Sequence, residues 1–274
     1  MSAVDIAVSG LDRRARVRAR PALAPRDVIS IAGRALRRIP RELETVIPPI
    51  FIALFFFVVN TGTLQRLTES NIRGFDIRAF MLPTSVLLGV TGVSRAGALV
   101  LDIQNGYFDR LLLTPVRRLA ILVGHMLADV AVACILVVPI LVLAVGVGVR
   151  LETGVIGAMV FVLVGCLWSL AFAGFGYAIA LKTGNPAAVN SSFLLFFPFL
   201  FMTSSYVPRE QLSGWLKAIA AWNPVTYVLE GLRSLVTQGW EWDSLAKAVL
   251  AIAVVGVVSM SLCLAALRGR TRRG

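Results

Sequence analysis

The sequence predicts an all-α integral membrane protein with six transmembrane helices. Three observations support this class: 57% of the 274 residues are hydrophobic, only 15% are charged, and the apolar residues gather in long runs. Soluble domains carry charge on about a quarter of their residues, so this composition excludes an ordinary soluble fold. Backbone groups in lipid must satisfy their own hydrogen bonds, so runs of crossing length are expected to be helices.

The six apolar runs set the predicted architecture. They cover about 46–62, 79–102, 119–149, 154–181, 190–207 and 244–267. Crossing a bilayer takes about 20 residues, so the first run needs its flanks, and the third and fourth are long enough to tilt or extend beyond the membrane. Without an internal repeat or a long linker, residues 46–267 are predicted to form one transmembrane domain.

The basic residues predict the orientation. With both termini inside, 18 Lys and Arg residues lie on the inner side and 8 on the outer side, and Arg95 within the second run completes the total of 27. The positive-inside rule favours this arrangement over its inverse. The net charge of +12 lies near span ends, which indicates anionic membrane lipids as partners rather than nucleic acid.

The segments that flank the membrane domain are basic. Residues 1–24 are Arg-rich and aperiodic, which predicts a disordered cytoplasmic tail, and without an apolar core no cleaved signal peptide is expected there. Over 26–41 apolar residues recur at helical spacing with arginines on the other side, so residues 1–45 are predicted to end in an amphipathic helix at the inner interface. An ordinary surface helix is the alternative. Residues 268–274 form a basic cytoplasmic tail.

Motifs of enzyme chemistry are missing from the sequence. It contains no GxxxxGK[ST], GxSxG, HExxH or CxxC pattern, so we expect no ATPase site, no catalytic residues, no metal and no cofactor bound by this chain. Cys134, Cys166 and Cys263 lie in apolar runs and are expected to pack as small apolar residues. His125 precedes Asp129 by four residues, and this pair either bonds between helices or supplies two of the ligands that a metal would need.

Two segments outside the spans carry most of the polar pattern. The stretch "LDIQNGYFDRLLLTPVRR" (101–118) mixes charged and sticky apolar residues on the inner side, which predicts a docking surface, with a plain interfacial turn as the alternative. In "NPVTYVLEGLR", Asn223 is a favoured N-cap and Pro224 a favoured first helical residue. We therefore predict an external re-entrant helical hairpin over 208–240, before the last span. Three polar residues share one side of its second helix: Tyr227, Glu230 and Arg233.

Together these segments resemble a known family. The pattern D-x-x-x-G-x-x-D-R-L-x-x-T-P-V-x-R in 102–118 is similar to the cytoplasmic loop of type-2 ATP-binding-cassette (ABC) export permeases of the daunorubicin-resistance kind. The segment "FPFLFMTSSYVPREQLSGWLKAIAAWNPVTYVLEGLR" (197–233) resembles the second hallmark of that family. Gln104 and Asn105 stand where the family often has acidic residues.

The resemblance implies a function and partners. It implies the transmembrane permease subunit of an ATP-driven exporter that moves a drug, lipid or glycolipid out across the plasma membrane. A separate nucleotide-binding subunit would hold ATP and Mg, and a second permease subunit, identical or different, would pair through spans one, two and five. The residues implied in coupling are Asp102, Gly106, Tyr107, Asp109, Arg110, Leu111, Pro115 and Arg118. Those implied in an external gate are Asn223, Pro224, Tyr227, Glu230 and Arg233, of which the last two are expected to form either a local pair or a pair that faces the gate.

A substrate path is predicted from the residues of spans two and five. Arg95 needs a partner such as Asp129, a wet cavity, or access to the inner headgroups. Aromatic residues of span five either face lipid or form the apolar wall of a path, and they include Phe193, Phe196, Phe197 and Phe201. The alternative functions are a proton-coupled secondary transporter using Asp129 and His125, and a lipid-modifying membrane enzyme.

Overall fold

The computed structural model describes residues 43–71, 76–92, 94–106 and 118–273, together with Gly33 and Arg37. Every regular element in these ranges is helical, as the sequence predicts. The α-helices in chain order are α1 (Leu43–Asn71), α2 (Ile77–Thr91), α3 (Ala96–Gln104), α4 (Arg118–Gly146), α5 (Gly154–Thr183), α6 (Pro186–Ser192), α7 (Phe196–Phe201), α8 (Gly214–Trp222), α9 (Pro224–Thr237) and α10 (Trp242–Arg273). Two 3-10 turns cover Phe193–Leu195 and Arg209–Gln211.

Five helical segments in the described ranges are long and apolar enough to cross a membrane. They are Val46–Leu64, Ile77–Gln104, Leu122–Gly146, Gly154–Thr183 and Trp242–Gly269. Predicted spans one, three, four and six are thereby confirmed as uninterrupted helices. The first apolar run is short, but its flanks are helical as well, so α1 has 29 residues.

The second predicted span is two helices rather than one. Helix α2 ends at Thr91 and α3 begins at Ala96, so Arg95 stands at the break and not inside a continuous helix. Two side chains accept hydrogen bonds from backbone N–H groups at the break. Ser94 Oγ accepts from Ala96 at 3.2 Å, and Asp129 of α4 accepts from Arg95 at 2.8 Å. Acceptors outside the helical ladder therefore stabilise the interruption.

The fifth predicted span, 190–207, is shorter than expected. Its helical part is the segment Pro186–Phe201, and the chain then turns. The Asn223 side-chain amide donates to the carbonyls of Phe199 at 2.6 Å and Met202 at 3.2 Å. A side chain that is distant in sequence thus donates hydrogen bonds to helix-end carbonyls that would otherwise lack a partner.

Helix α5 lies at the centre of the bundle, against α2, α4 and α10. It lies close to α10 at Gly174, where an added Cβ would lie 2.5 Å from Ser259 Oγ. The Ser259 hydroxyl in turn donates to the Ala171 carbonyl at 2.5 Å. Small residues that let two backbones approach, with a hydroxyl between them, are a common way of joining helices in membranes.

The bundle has two ends, and we name them by the segments that they carry. The loop end carries residues 102–106 and the start of α4, and there Gln104 donates to the Gly184 carbonyl at 3.0 Å. The hairpin end carries 202–240, and there Thr153 donates to the Leu235 carbonyl at 2.7 Å.

Several expectations concern residues at or beyond the limits of the described ranges. Of the predicted interfacial helix over 26–41 only Gly33 and Arg37 are described, both as helical. Most of the predicted coupling loop, residues 107–117, lies outside the described ranges. The cysteines are free thiols, with Cys166 and Cys263 buried and Cys134 half-buried, as expected for small apolar residues.

Candidate functional site

A buried polar cluster lies at the loop end between α3, α4 and α5. At its centre is Asp129 of α4, whose side chain has no solvent exposure. One carboxyl oxygen accepts the backbone N–H of Arg95 at 2.8 Å, and the other accepts the hydroxyl of Tyr177 at 2.6 Å. One acid therefore joins the start of α3 to both neighbouring helices.

A second pair lies one turn closer to the loop. His125 Nε2 of α4 lies 3.7 Å from Asp102 Oδ2 of α3, and both residues are buried. The interpretation of His125 as a group that bonds between helices is consistent with this contact, which reaches Asp102 of α3. No group of three metal-binding side chains occurs among the described residues.

The cluster can hold α3, α4 and α5 in a fixed arrangement. Removing one partner of a buried hydrogen bond costs about 1–3 kcal/mol, because the other partner is left unsatisfied. Asp129 holds two such bonds, to different elements, so moving α3 against α4 and α5 must either carry the acid along or break them. The cluster therefore resists independent movement of the half-helix that leads into the predicted loop.

The predicted coupling residues are only partly described. Asp102 is buried at the end of α3, and Gly106 follows with φ of +67°, a conformation that favours glycine. The backbone of Arg118 begins α4. The remaining predicted coupling residues lie outside the described ranges: Tyr107, Asp109, Arg110, Leu111 and Pro115.

At the hairpin end the predicted start of α9 is confirmed. Asn223 Oδ1 accepts the N–H of Val225 at 3.0 Å, and Pro224 is the first helical residue. The Asn223 amide nitrogen also binds the carbonyls at the end of α7. One side chain thus caps two helices and sets the position of α9 against the preceding segment.

Arg233 of α9 is directed into the protein. It is 6% exposed, and its guanidinium donates to the Phe80 carbonyl at 3.3 Å and to Thr84 Oγ1 at 3.2 Å, both on α2. It also donates to Ser204 Oγ at 3.2 Å and to the Ser205 carbonyl at 3.0 Å. A buried cation is tolerated only when it is well hydrogen-bonded, and Arg233 meets that condition by joining α9, α2 and the 203–205 turn.

The other predicted gate residues lie nearer the surface. Glu230 lies 3.5 Å from Arg209, and both are partly exposed. The Arg209 guanidinium also lies over the Tyr227 ring, 5.4 Å from its centre, while the Tyr227 hydroxyl donates to the Ala221 carbonyl at 2.6 Å. Sequence reasoning missed Arg209, which is close to Glu230 only because the hairpin folds back.

Comparison with known families shows to which family this chain belongs. The ABC-2 type transporter family model matches residues 26–237, which include both polar ends of the bundle. This chain is a member of the ABC-2 type transporter family. The resemblance drawn from 102–118 and 197–233 is thereby confirmed.

Two relatives of this ABC-2 chain carry drug-resistance names. One is the daunorubicin resistance ABC transporter permease protein DrrB1 of Streptomyces coeruleorubidus, 28% identical over 214 residues that cover 76% of this chain and 74% of the relative. The other is the probable doxorubicin resistance ABC transporter permease protein DrrC of Mycobacterium tuberculosis, 24% identical over 211 residues that cover 76% and 75%. The ABC-2 chain is thus a multi-pass membrane protein with permease relatives.

The predicted substrate-path residues of the ABC-2 chain lie in different environments in the structure. Phe193 lines a cavity beside the break in span two. Phe196 is fully buried against Trp168 and Phe172, so it belongs to the core. Phe197 stacks on Phe201, which is 46% exposed. Arg95 does not line that cavity.

Tyr177 was not predicted, although the sequence holds a signal for it. A tyrosine in a long apolar run must find a partner for its hydroxyl when buried, and span three offers an acid for that role. The missing information was which helices are neighbours. Trp168 is a similar case, since its ring nitrogen donates to Thr91 Oγ1 of α2 at 2.8 Å.

Proposed function

We propose that this ABC-2 chain is the permease subunit of an ATP-driven exporter that moves a hydrophobic or amphipathic substrate out across the plasma membrane. The supporting observation is the family match over 26–237, which spans both polar ends of the bundle. A separate nucleotide-binding subunit supplies ATP hydrolysis, since the sequence has no phosphate-binding loop of its own. In the orientation that the basic residues predict, the loop end and both termini are cytoplasmic, and the hairpin end is external.

The first mechanical step occurs where the loop meets the bundle. The predicted docking segment 102–118 lies between α3 and α4, so a force on it reaches α3 directly. Gln104 binds Gly184 after α5, and His125 lies close to Asp102. Closure of the ATPase subunits would press on these contacts from the cytoplasm.

The second step occurs at the break in span two. Movement of α3 is transmitted through Asp129, which holds the N–H of Arg95 and the Tyr177 hydroxyl. Helix α2 ends at Thr91 and α3 begins at Ala96, so we place the change of angle between α3 and α2 at these two helix ends. Such hinges are commonly a few residues at the ends of helices.

The third step occurs at the external end. Helix α2 carries Phe80 and Thr84 at its start, and both bind Arg233 of the hairpin. A tilt of α2 that begins at the break therefore pulls on α9. The free energy that this route can transmit is limited by how much these contacts differ in free energy between the two states of the ATPase.

A second permease subunit completes the exporter in this proposal. From Ile77 to Thr91 all residues except Arg78 are buried within the chain, so α2 leaves little surface for a partner. Large apolar residues are exposed on α1 and on the 186–201 segment, including Phe51, Phe55, Leu194 and Phe199. We assign these two faces to the partner subunit and to lipid.

The test is reconstitution of the chain with its ATPase partner in proteoliposomes. Wild type is expected to co-purify with the ATPase and to move substrate only with hydrolysable ATP. Arg110→Ala is expected to reach the membrane but to abolish that transport, while Arg150→Ala, an exposed residue at the hairpin end, serves as the control. Normal ATP-dependent transport by Arg110→Ala at equal expression would refute the assigned coupling role.

A proton-coupled transporter is the second candidate, because a buried acid and a buried histidine lie one turn apart. Asp129 and His125 are 0% and 4% exposed, and intramembrane acids of this kind mark proton relays in other proteins. Collapse of the proton gradient at constant ATP separates the candidates. Transport that stops would favour the proton-coupled function, and transport that continues would favour the ATP-driven one.

A further inference from the structure

Two of the three cysteine thiols meet between α4 and α5. Cys134 Sγ of α4 lies 3.1 Å from Cys166 Sγ of α5, although the two residues are 32 positions apart in the sequence. Both are free thiols. The S–S bond of a disulfide is about 2.05 Å long, so the two sulfur atoms need to approach by only about 1 Å to be joined.

The packing of α4 against α5 fixes the position of the Cys166 thiol. This thiol donates to the Val130 carbonyl, with Sγ and the oxygen 3.8 Å apart, and Val130 lies one helical turn before Cys134. The sulfur of α5 therefore contacts two successive turns of α4. Beside it, a Cβ added at Gly165 would lie 3.4 Å from Val137 Cγ2, so a small residue allows the close approach of the two helices.

Both thiols lie near the middle of helices of crossing length. Cys134 belongs to Arg118–Gly146 and Cys166 to Gly154–Thr183, which places the pair at the depth of the hydrocarbon. Cys134 is half-buried at the edge of an exposed apolar stripe that includes Ile135 and Val138, each 46% exposed, whereas Cys166 is 3% exposed. A reagent dissolved in the lipid therefore reaches Cys134 first.

This depth selects the class of reagent that can modify the pair. Moving an ion from water into an apolar site is far more costly than moving a neutral molecule, so charged oxidants and charged thiols are kept away. Organic hydroperoxides are neutral, dissolve in lipid and oxidise thiols. Exposure is one of the factors that decide which cysteine is oxidised, and a second thiol beside it can resolve the product to a disulfide.

We propose that Cys134 and Cys166 form a redox-modification site that organic hydroperoxides in the membrane convert to a disulfide between α4 and α5. First, an S–O bond forms at Cys134 as the O–O bond of the hydroperoxide breaks, and the thiol proton passes to the leaving alkoxide, which gives a sulfenic acid and an alcohol. The Cys166 sulfur then attacks that sulfur, the S–O bond breaks, and the hydroxyl leaves as water with the Cys166 proton. The two thiols lose two electrons, and the hydroperoxide is reduced to an alcohol and water.

The disulfide would add a covalent link to an interface that already carries a buried hydrogen bond. Asp129, one turn before Cys134 on α4, accepts from the Tyr177 hydroxyl of α5 at 2.6 Å. In the proposed exporter, movement of α3 reaches α4 through the bond from the Arg95 N–H to Asp129. A disulfide that fixes α4 to α5 would oppose that movement. This effect on export rests on the proposed function, whereas the chemistry of the thiols does not.

The test counts thiols in the full chain in phospholipid nanodiscs after treatment with cumene hydroperoxide. The protein is denatured and labelled with a maleimide, so oxidation of its six methionines does not affect the count. Wild type has three thiols and is expected to reach an end point of one, without a cross-linked dimer on a non-reducing gel, and to return to three with dithiothreitol. An end point above one, or a cross-linked dimer, would overturn the proposal.

Three variants assign the two sulfur atoms that are joined. Cys134→Ala and Cys166→Ala should each keep both remaining thiols under the same treatment. Cys263→Ala is the matched control, because Cys263 is a buried thiol of α10 in a different core cluster, and this variant should fall from two thiols to none. Loss of both thiols in Cys134→Ala or Cys166→Ala, or protection of both in Cys263→Ala, would overturn the assigned pair.

A charged oxidant tests whether access is from the lipid. Tetrathionate oxidises thiols but carries two negative charges, so it is expected to leave wild type with three thiols in nanodiscs. Closure by tetrathionate as fast as by cumene hydroperoxide would place the pair in contact with water and overturn the proposed class of reagent.

A transport measurement separates this inference from the proposed function. ATP-dependent export by treated wild type is expected to fall in proportion to the fraction of closed chains and to recover with dithiothreitol, while Cys134→Ala should export equally with and without treatment. Unchanged export by the closed chain would overturn the proposed effect of the disulfide. If reduced wild type shows no ATP-dependent export, the proposed function is refuted, and the thiol counts still decide the modification site.

Discussion

The guanidinium carbon of Arg233 lies 3.6 Å from the centre of the Phe80 ring. The same side chain donates through Nε to the Phe80 carbonyl at 3.3 Å, so one arginine holds both the ring and the backbone of a residue 153 positions away. A cation over an aromatic face is worth about 2 kcal/mol or more when desolvated. This contact joins α9, at the hairpin end of the bundle, to the start of span two.

Replacement of Arg233 should destabilise the protein more than replacement of a surface arginine. Arg233→Ala is expected to lower the free energy of unfolding by roughly 2–4 kcal/mol, because several hydrogen bonds to a charged group are lost together. Arg233→Lys should recover only part, since it lacks the planar fork of donors. Thermal unfolding in detergent measures both.

The control for that comparison is Arg209→Ala. Arg209 pairs with Glu230 at 3.5 Å in a partly exposed position, and such pairs contribute about 0–1 kcal/mol. If Arg209→Ala and Arg233→Ala lowered the melting temperature equally, the central role of Arg233 would be refuted.

The Tyr177 hydroxyl should matter for coupling as well as for stability. Tyr177→Phe removes only the atom that donates to Asp129 at 2.6 Å and should destabilise by about 1–3 kcal/mol, because a buried acceptor is left unsatisfied. ATP-dependent transport should fall further than ATPase activity in the assembled complex. Ser191→Ala, which loses an exposed bond within its own helix, should change neither, and equal loss in both variants would contradict the assignment.

The contact between α5 and α10 should not tolerate a side chain at Gly174. An added Cβ would lie 2.5 Å from Ser259 Oγ and 3.0 Å from its backbone, so Gly174→Val must push the helices apart and should lower stability by roughly 1–3 kcal/mol. Gly62→Val is the matched control, because nothing lies within 4 Å of the Cβ added at Gly62. A folded Gly174→Val with wild-type melting would show that the helices do not approach as closely.

The orientation is testable by labelling in intact cells. In a background without the native cysteines, Trp222→Cys should react with a membrane-impermeant maleimide added outside, because Trp222 is 91% exposed at the hairpin end. Lys182→Cys at the loop end and Tyr107→Cys in the predicted coupling loop should react only after permeabilisation. The opposite pattern would invert the topology and remove the proposed contact with a cytoplasmic ATPase.

Most helices could be predicted because their signals are local. Long apolar runs predict α1, α4, α5 and α10, and the pair Asn223–Pro224 predicts the start of α9, which the Asn223 cap confirms. The break at 92–95 and the early end at Phe201 were not predicted. In both cases the deciding hydrogen bonds come from side chains distant in sequence, Asp129 and Asn223.

The residues of the candidate site also fall into two groups, those that the sequence indicates and those that only the packing shows. The sequence was enough to select His125, Asp129, Arg95 and Arg233. A charged or titratable residue near an apolar run is costly unless it has a polar partner or a functional role. Their partners could not be selected, since hydropathy does not indicate which helices touch. The partners Tyr177 and Phe80 became visible only with the packing.

The sequence by itself determined the membrane class, the helical content and the residues that carry polar chemistry, because composition, run length and helix-end preferences act over a few turns of chain. Only the tertiary structure decided where span two bends, which groups Asp129 and Arg233 hold, and that a cavity lies beside the bend. Each of these depends on several helices meeting at one point, and the free energy of such a meeting belongs to the packed bundle rather than to any single segment.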